Sequence, residues 1–168
     1  MKVGESGEIS IILYSKPIRM KFTGKISAKL DAKGRVFFPA AFRKLLADGE
    51  GDFVLRRDVY QPCLVVYPLV VWEEEVALLR QRLNRWDPRQ AMVFRQFMSD
   101  AELISLDSSG RFLLPKRLTE IAQIDKELVF VGVDDRIELW NKNQMSTSFM
   151  SPEDFGESLA QLMSADSE

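Results

Sequence analysis

The chain has 168 residues, with 23 Lys and Arg against 25 Asp and Glu, a net charge of −2 and 46% hydrophobic residues, enough apolar material for one domain or two small lobes sharing a core. One cysteine and no histidine exclude an internal disulfide and remove the usual participants in zinc sites and in Ser-His or Cys-His catalysis. No apolar run approaches bilayer length, and the near-neutral total excludes a uniformly basic nucleic-acid binder.

In chain order, residues 1–19 read as a mobile extension in which Ile11 and Ile12 could add a marginal strand. Met20-Lys21-Phe22 opens the first folded unit, 20–68. Lys25 to Leu30 alternates polar and apolar, as a half-buried strand does. The turn Asp31-Ala32-Lys33-Gly34-Arg35 follows, then the apolar run Val36-Phe37-Phe38. Pro39 can serve as the first residue of a helix over Ala40 to Ala47. Asp52 to Leu55 and Leu64 to Tyr67 are two further strands, with Cys63 in the core.

Residues 69–99 read as a helical hairpin. Trp72, Val76, Leu79, Leu83 and Trp86 have the spacing of an amphipathic helix beginning near Leu69. Glu73, Glu74 and Glu75 in its first turns complement the helix dipole. A second helix should start at Asp87-Pro88, with Asp as cap and Pro at the first helical position, burying Ala91, Phe94, Phe97 and Met98. Arg80, Arg82, Arg85, Arg89 and Arg95 decorate the hairpin, either as a solvated face paired with Glu73 to Glu75 or as contacts for phosphate or a neighbouring subunit.

The second unit, 100–145, repeats the first. Leu106-Asp107-Ser108-Ser109-Gly110-Arg111-Phe112-Leu113-Leu114-Pro115 matches residues 30 to 39, 76 positions earlier. A helix over Lys116 to Ala122 and strands at Leu128 to Val131 and Ile137 to Trp140 complete it, so each half reads β-β-α-β-β. Two such units leave fewer open edges when they complete one small sheet or barrel. Residues 146–168 form an acidic tail: from Ser151 onward there are five acids and no Lys or Arg.

In both turns Asp and Gly bracket the tip, where a carboxylate accepts backbone hydrogen bonds and Gly takes positive φ cheaply. Asp and Arg, four residues apart, can form a charge-assisted bond that aims the guanidinium. A rigid tip carrying a planar cation is suited to reading phosphate or bases. The copies differ in charge. Met20 to Ala47 carries seven Lys and Arg against Asp31 alone, whereas Glu102 to Glu120 is balanced. Arg35 is therefore the expected base reader, with Lys33, Lys29 and Lys21 positioning phosphate and Arg43 and Lys44 as secondary candidates.

These segments resemble the MraZ family, whose members are bacterial regulators built from two AbrB/SpoVT-like units. The resemblance rests on both DxxxR turns, Pro39 to Arg43, Cys63 to Leu69 with Trp72-Glu73, and Gly132 with Ile137 to Trp140. It implies an α+β fold in which the two units form a pseudo-dimeric swapped-hairpin barrel joined by the helical hairpin. It also implies a ring-shaped homo-oligomer in the cytoplasm and at the nucleoid. That ring would bind double-stranded promoter DNA with repeated elements upstream of the division and cell-wall gene cluster. The family's DNA-contacting loops map onto Asp31, Lys33 and Arg35, and onto Asp107 and Arg111. No catalytic step, cofactor or metal is implied. The other reading is an antitoxin-like or scaffold module whose main partner is a protein.

Overall fold

A computed structural model describes residues 22–46 and 51–164; the expectations for residues 1–19 and for Lys21 lie outside them. The first unit comprises β1 (Lys25–Lys29), β2 (Arg35–Phe37), α1 (Ala40–Arg43), β3 (Asp52–Arg57) and β4 (Leu64–Pro68). The hairpin helices are α2 (Leu69–Arg82) and α3 (Pro88–Ser99). The second unit comprises β5 (Glu102–Ser105), β6 (Arg111–Leu113), α4 (Lys116–Ile121), β7 (Glu127–Val133) and β8 (Arg136–Asn141). Helices α5 (Lys142–Met145) and α6 (Pro152–Ser164) follow. Both halves are β-β-α-β-β.

Six strands form one antiparallel sheet in the order β1-β7-β8-β4-β3-β5, and β2 pairs with β6 in a two-stranded ribbon. The halves exchange strands. β1 of the first half lies on β7 of the second, Lys25 opposite Val131, while β5 of the second lies on β3 of the first, Phe53 opposite Ile104. β4 meets β8 at the centre, Val65 opposite Glu138. The expected barrel does not close: β1 and β5 are the two edges of the sheet. Pro39 and Pro115, which lack an N–H, follow close behind the three-residue β2 and β6, so the ribbon's ladder is too short to join the sheet.

Alternation decides which side each strand residue buries. Phe53, Leu55, Leu64, Val66, Leu128, Phe130, Ile137 and Leu139 point toward the ribbon, α1 and α4, where they meet Val36, Phe38, Phe42, Phe112 and Leu118. Phe38 stacks on Phe53 at 4.9 Å between ring centroids. Each large side chain fully buried here contributes about 1.5–3 kcal/mol. On the opposite side Val54, Val65 and Tyr67 pack against Val71, Trp72 and Val76 of α2 and Phe94 and Phe97 of α3. The unbroken apolar run Leu64 to Tyr67 is thereby explained, since β4 is covered on both faces. Cys63 is buried with Val129, Val131 and Trp140, and burial raises its thiol well above its ordinary range.

Several helical boundaries differ from the sequence reading. α1 spans four residues rather than eight, and Pro39 sits one position before it, at the cap, its carbonyl accepting from Phe42 N at 3.0 Å and Arg43 N at 2.9 Å. α2 ends at Arg82 because Leu83 is extended, so Trp86 leaves the apolar stripe and is 93% exposed. Asp87 does cap α3, accepting from Gln90 N at 3.0 Å, with Pro88 next. Met98 is exposed rather than buried, because the α3 face that meets Trp72 is that of Phe94 and Phe97. Glu75 pairs not with the hairpin arginines but with Arg136, at 2.6 Å, tying α2 to β8. Among the described residues no helix is long and apolar enough to cross a membrane.

Gly132 makes the exchange possible where β1's entry crosses β7. Its N–H donates to Gly24 O at 2.9 Å, and a Cβ at this position would collide with the backbone of Phe22 and Thr23. Gly132→Ala should therefore lower the unfolding free energy by about 2–3 kcal/mol, as overpacking against unyielding backbone does. Urea denaturation should show a reduced midpoint at unchanged slope; an unaltered midpoint would contradict this close approach.

Candidate nucleic-acid interface

The two repeated turns, loop 1 (31–35) and loop 2 (107–111), have the same internal wiring. In loop 1, Asp31 Oδ1 accepts from the N–H of Lys33 and of Arg35, both at 2.9 Å, and Oδ2 accepts from Arg35 Nε at 2.8 Å. In loop 2, Asp107 Oδ1 accepts from the N–H of Ser109 and of Arg111, both at 2.9 Å, and Oδ2 accepts from Arg111 Nε at 3.1 Å. Gly34 and Gly110 hold φ of 80° and 83°, a left-handed conformation that glycine adopts without steric cost. Each carboxylate thus closes its turn and orients its arginine.

These braces are ionic. The Arg35 backbone N–H holds the Asp31 carboxyl below its ordinary value of 3.8, aided by the Arg35 side chain and the Lys33 amide. The Arg111 N–H does the same for Asp107, with help from Ser109 and the Arg111 charge. Both carboxylates are exposed, so the bonds order the tips more than they stabilise the fold.

Each loop is fastened to the other half. Gly34 O accepts from Leu114 N and Gly110 O accepts from Phe38 N, both at 2.9 Å. Between the loops lies the ribbon, with Arg35 opposite Leu113 and Phe37 opposite Arg111. Val36 and Phe112 point into the core, so Arg35, Phe37, Arg111 and Leu113 share the outer face. The two arginines are about 7 Å apart along the ribbon at ~3.4 Å per residue. Phe37 is 61% exposed, and the Arg111 guanidinium lies over its ring at 5.8 Å. Arg35 faces Leu113 instead, and among the described residues no ring lies against it.

The other site residues expected from sequence distribute as follows. Lys33 stands exposed at the tip of loop 1, and Lys44 is exposed just beyond α1. Lys29 is exposed at the end of β1. Arg43 reaches across to loop 2, where its guanidinium lies against Gly110. Sequence reasoning missed Phe37 and Leu113 as parts of the surface, although strand alternation about buried Val36 and Phe112 carried the signal. It also missed the placement of Arg43, which no local pattern reveals.

The assembled surface is a short ribbon with two oriented guanidiniums flanked by two rigid tips. Comparison with known proteins adds the family. The model described as "MraZ protein, putative antitoxin-like" matches residues 21–96 and 97–154. A transcriptional regulator MraZ of Phocaeicola vulgatus is 52% identical over 145 residues, covering 86% of this chain and 94% of the relative. Those of Bacteroides fragilis and Bacteroides thetaiotaomicron are 49% and 48% identical, each over 86% of this chain, covering 92% and 93% of the relatives. The chain belongs to the MraZ family.

The lowered carboxyl values give a test of the loops. Because each folded-state value lies below the unfolded one, the braces are complete above the unfolded value and are lost as pH falls through the lowered one. Carbon-detected NMR titration should place the midpoints of Asp31 and Asp107 both below 3.8. A midpoint at or above 3.8 for either would show that these hydrogen bonds do not persist in solution.

Proposed function

We propose that this member of the MraZ family is a sequence-specific DNA-binding transcription regulator rather than an enzyme, acting on the division and cell-wall gene cluster. The observation that carries the reading is the outer face of the ribbon, where two carboxylate-braced arginines stand on one short, rigid element. A two-stranded ribbon fits the major groove, and a planar guanidinium pairs with guanine's two acceptors. The names of the relatives, transcriptional regulators, agree with this. The exchange of β1 and β5 between halves is what a swapped-hairpin, AbrB/SpoVT-like unit would show.

Arg35 is the principal base reader. Its brace is the shorter of the two and its guanidinium is free of the ring that holds Arg111. Asp31 and Asp107 position the arginines. Lys33 and Lys29 contact phosphate, as does Lys21, and phosphate contacts carry affinity without sequence information.

Promoter DNA with repeated elements would be bound by a ring of copies, whose individually weak contacts add through effective concentration. Two surfaces support self-assembly. The hairpin exposes Trp86, Met92 and Val93 among its arginines, and α6 exposes Phe155, Leu159 and Leu162 beside Glu153, Asp154 and Glu157. These are apolar surfaces of opposite charge. The protein would act in the cytoplasm, associated with the nucleoid. The same exposed α6 face favours the second reading, an antitoxin-like or scaffold module that binds a protein.

In a mobility-shift assay on the DNA upstream of the gene, Arg35→Ala should lower affinity for the repeats by a factor of ~10–100, the value of one bidentate base contact, without altering assembly size. Arg111→Ala should have a smaller effect. Equal effects from the two changes would refute the assignment of Arg35 as principal reader. Retention only when a protein partner is added would favour the scaffold.

A further inference from the structure

We propose that the pocket between β3 and the hairpin helix α3 binds a small monocarboxylate, with the buried Arg56 guanidinium as its anchor. Arg56 alternates with Phe53 and Leu55 and shares the Val54 side of β3, which faces the hairpin. The site therefore lies across the sheet from the ribbon, and it does not depend on the reading that the chain binds DNA.

The ladder register sets the comparison between the halves. Leu55 lies opposite Val66, as Phe130 lies opposite Leu139 at the matching place in the second unit. One residue further along, Arg56 corresponds to Val131, a buried valine packed with Cys63 and Trp140. The frame thus asks only for an apolar side chain at this position. Arg56 is nonetheless 4% exposed, and among the described residues it is the one buried charged side chain.

Among the described residues nothing neutralises that charge. The residue opposite Arg56 on β4 is Val65. Arg56 is in no ion pair, and its buried Nε has no hydrogen-bond acceptor. Its Cζ lies 4.1 Å from the centre of the Phe97 ring, a contact that favours a cation but gives its N–H groups no lone pair to donate to. The acid that lines the pocket, Asp100, is already 4.0 Å from Arg57 Nε and 3.6 Å from Arg117 Nη1. A buried charge left without a partner is costly, so a ligand that brings an acceptor is favoured here.

The pocket measures about 210 Å³, and beside Arg56 it is lined by Val59, Val93, Gln96, Phe97 and Asp100. At about 30 Å³ for each water-sized group, that volume holds roughly seven heavy atoms. The planar fork of a guanidinium matches a carboxylate, which can accept two parallel hydrogen bonds from it. Val59, Val93 and the Phe97 ring suit a short hydrocarbon chain, whereas Asp100 repels a doubly charged anion such as phosphate. Size, walls and charge together select a monocarboxylate of about four carbons.

NMR titration of the intact protein tests this, with butyrate as the probe and chloride and phosphate at matched ionic strength as controls. Butyrate should shift the Arg56 Nε–Hε resonance and the Val93 and Phe97 amides along one saturable curve, with half-saturation at ~1 mM, as suits so small a ligand. Chloride and phosphate should leave these signals in place. Arg56→Met, which gives the position the apolar character it has at Val131, should abolish the response and raise the urea midpoint, because it removes an unpaired buried charge. Gln96→Glu keeps Arg56 and supplies a carboxylate from an exposed position on the pocket wall; it too should abolish the response and raise the midpoint. No response to butyrate in the unmodified protein would overturn the proposal, as would an equal response to chloride or phosphate, or one that survives either substitution. A urea midpoint that rises with protein concentration while butyrate has no effect would place an acidic side chain of a second copy in the pocket and overturn it too.

Discussion

The structure depends on the exchange of strands between its halves. β1 finds its partner in β7, β5 in β3, and the ribbon exists only because β2 meets β6. Neither half completes a sheet alone, so the duplicated sequence folds as one body around a core to which both halves contribute. The loops inherit that interdependence. Each hydrogen-bonds its glycine carbonyl to the opposite half, so the position of either tip is fixed by the whole fold and not by its local turn.

A nearly symmetric frame then carries an asymmetric surface. The Asp-Arg brace, the positive-φ glycine and the apolar ribbon positions recur in both copies and are explained by architecture. The cations do not recur. Lys29, Lys33 and Arg43 came with the first copy, and the exchange lays the Arg43 guanidinium against Gly110 of loop 2. Charge segregation along the sequence is therefore a poor map of charge on the surface, because strand exchange reassigns side chains between loops.

Much of this was legible in the residues. The L-D-x-x-G-R repeat located both loops, alternation and apolar runs located the strands, and Asp87-Pro88 located the start of α3. Those signals are local, and local physics decides them. Pairing partners were not legible from pattern alone, since Lys25 to Lys29 alternates identically whichever strand lies beside it. The spacing of Leu83 and Trp86 continued a helical stripe that Asn84 breaks: its side chain accepts from Trp86 N at 3.0 Å and its carbonyl from Asp87 N at 3.1 Å, closing a turn. In the acidic tail, the spacing of Phe155, Leu159 and Leu162 marks an amphipathic helix that the one-sided charge composition conceals; α6 is that helix.

If the protein binds DNA as proposed, both loop tips face the same stretch of duplex. Photo-crosslinkable residues placed singly at positions 33, 109 and 162, in the intact protein bound to a duplex carrying the upstream repeats, test it most directly. Cross-links to DNA are expected from 33 and from 109, and none from 162, on the exposed face of α6. Cross-links from 162 with neither loop reacting would contradict it.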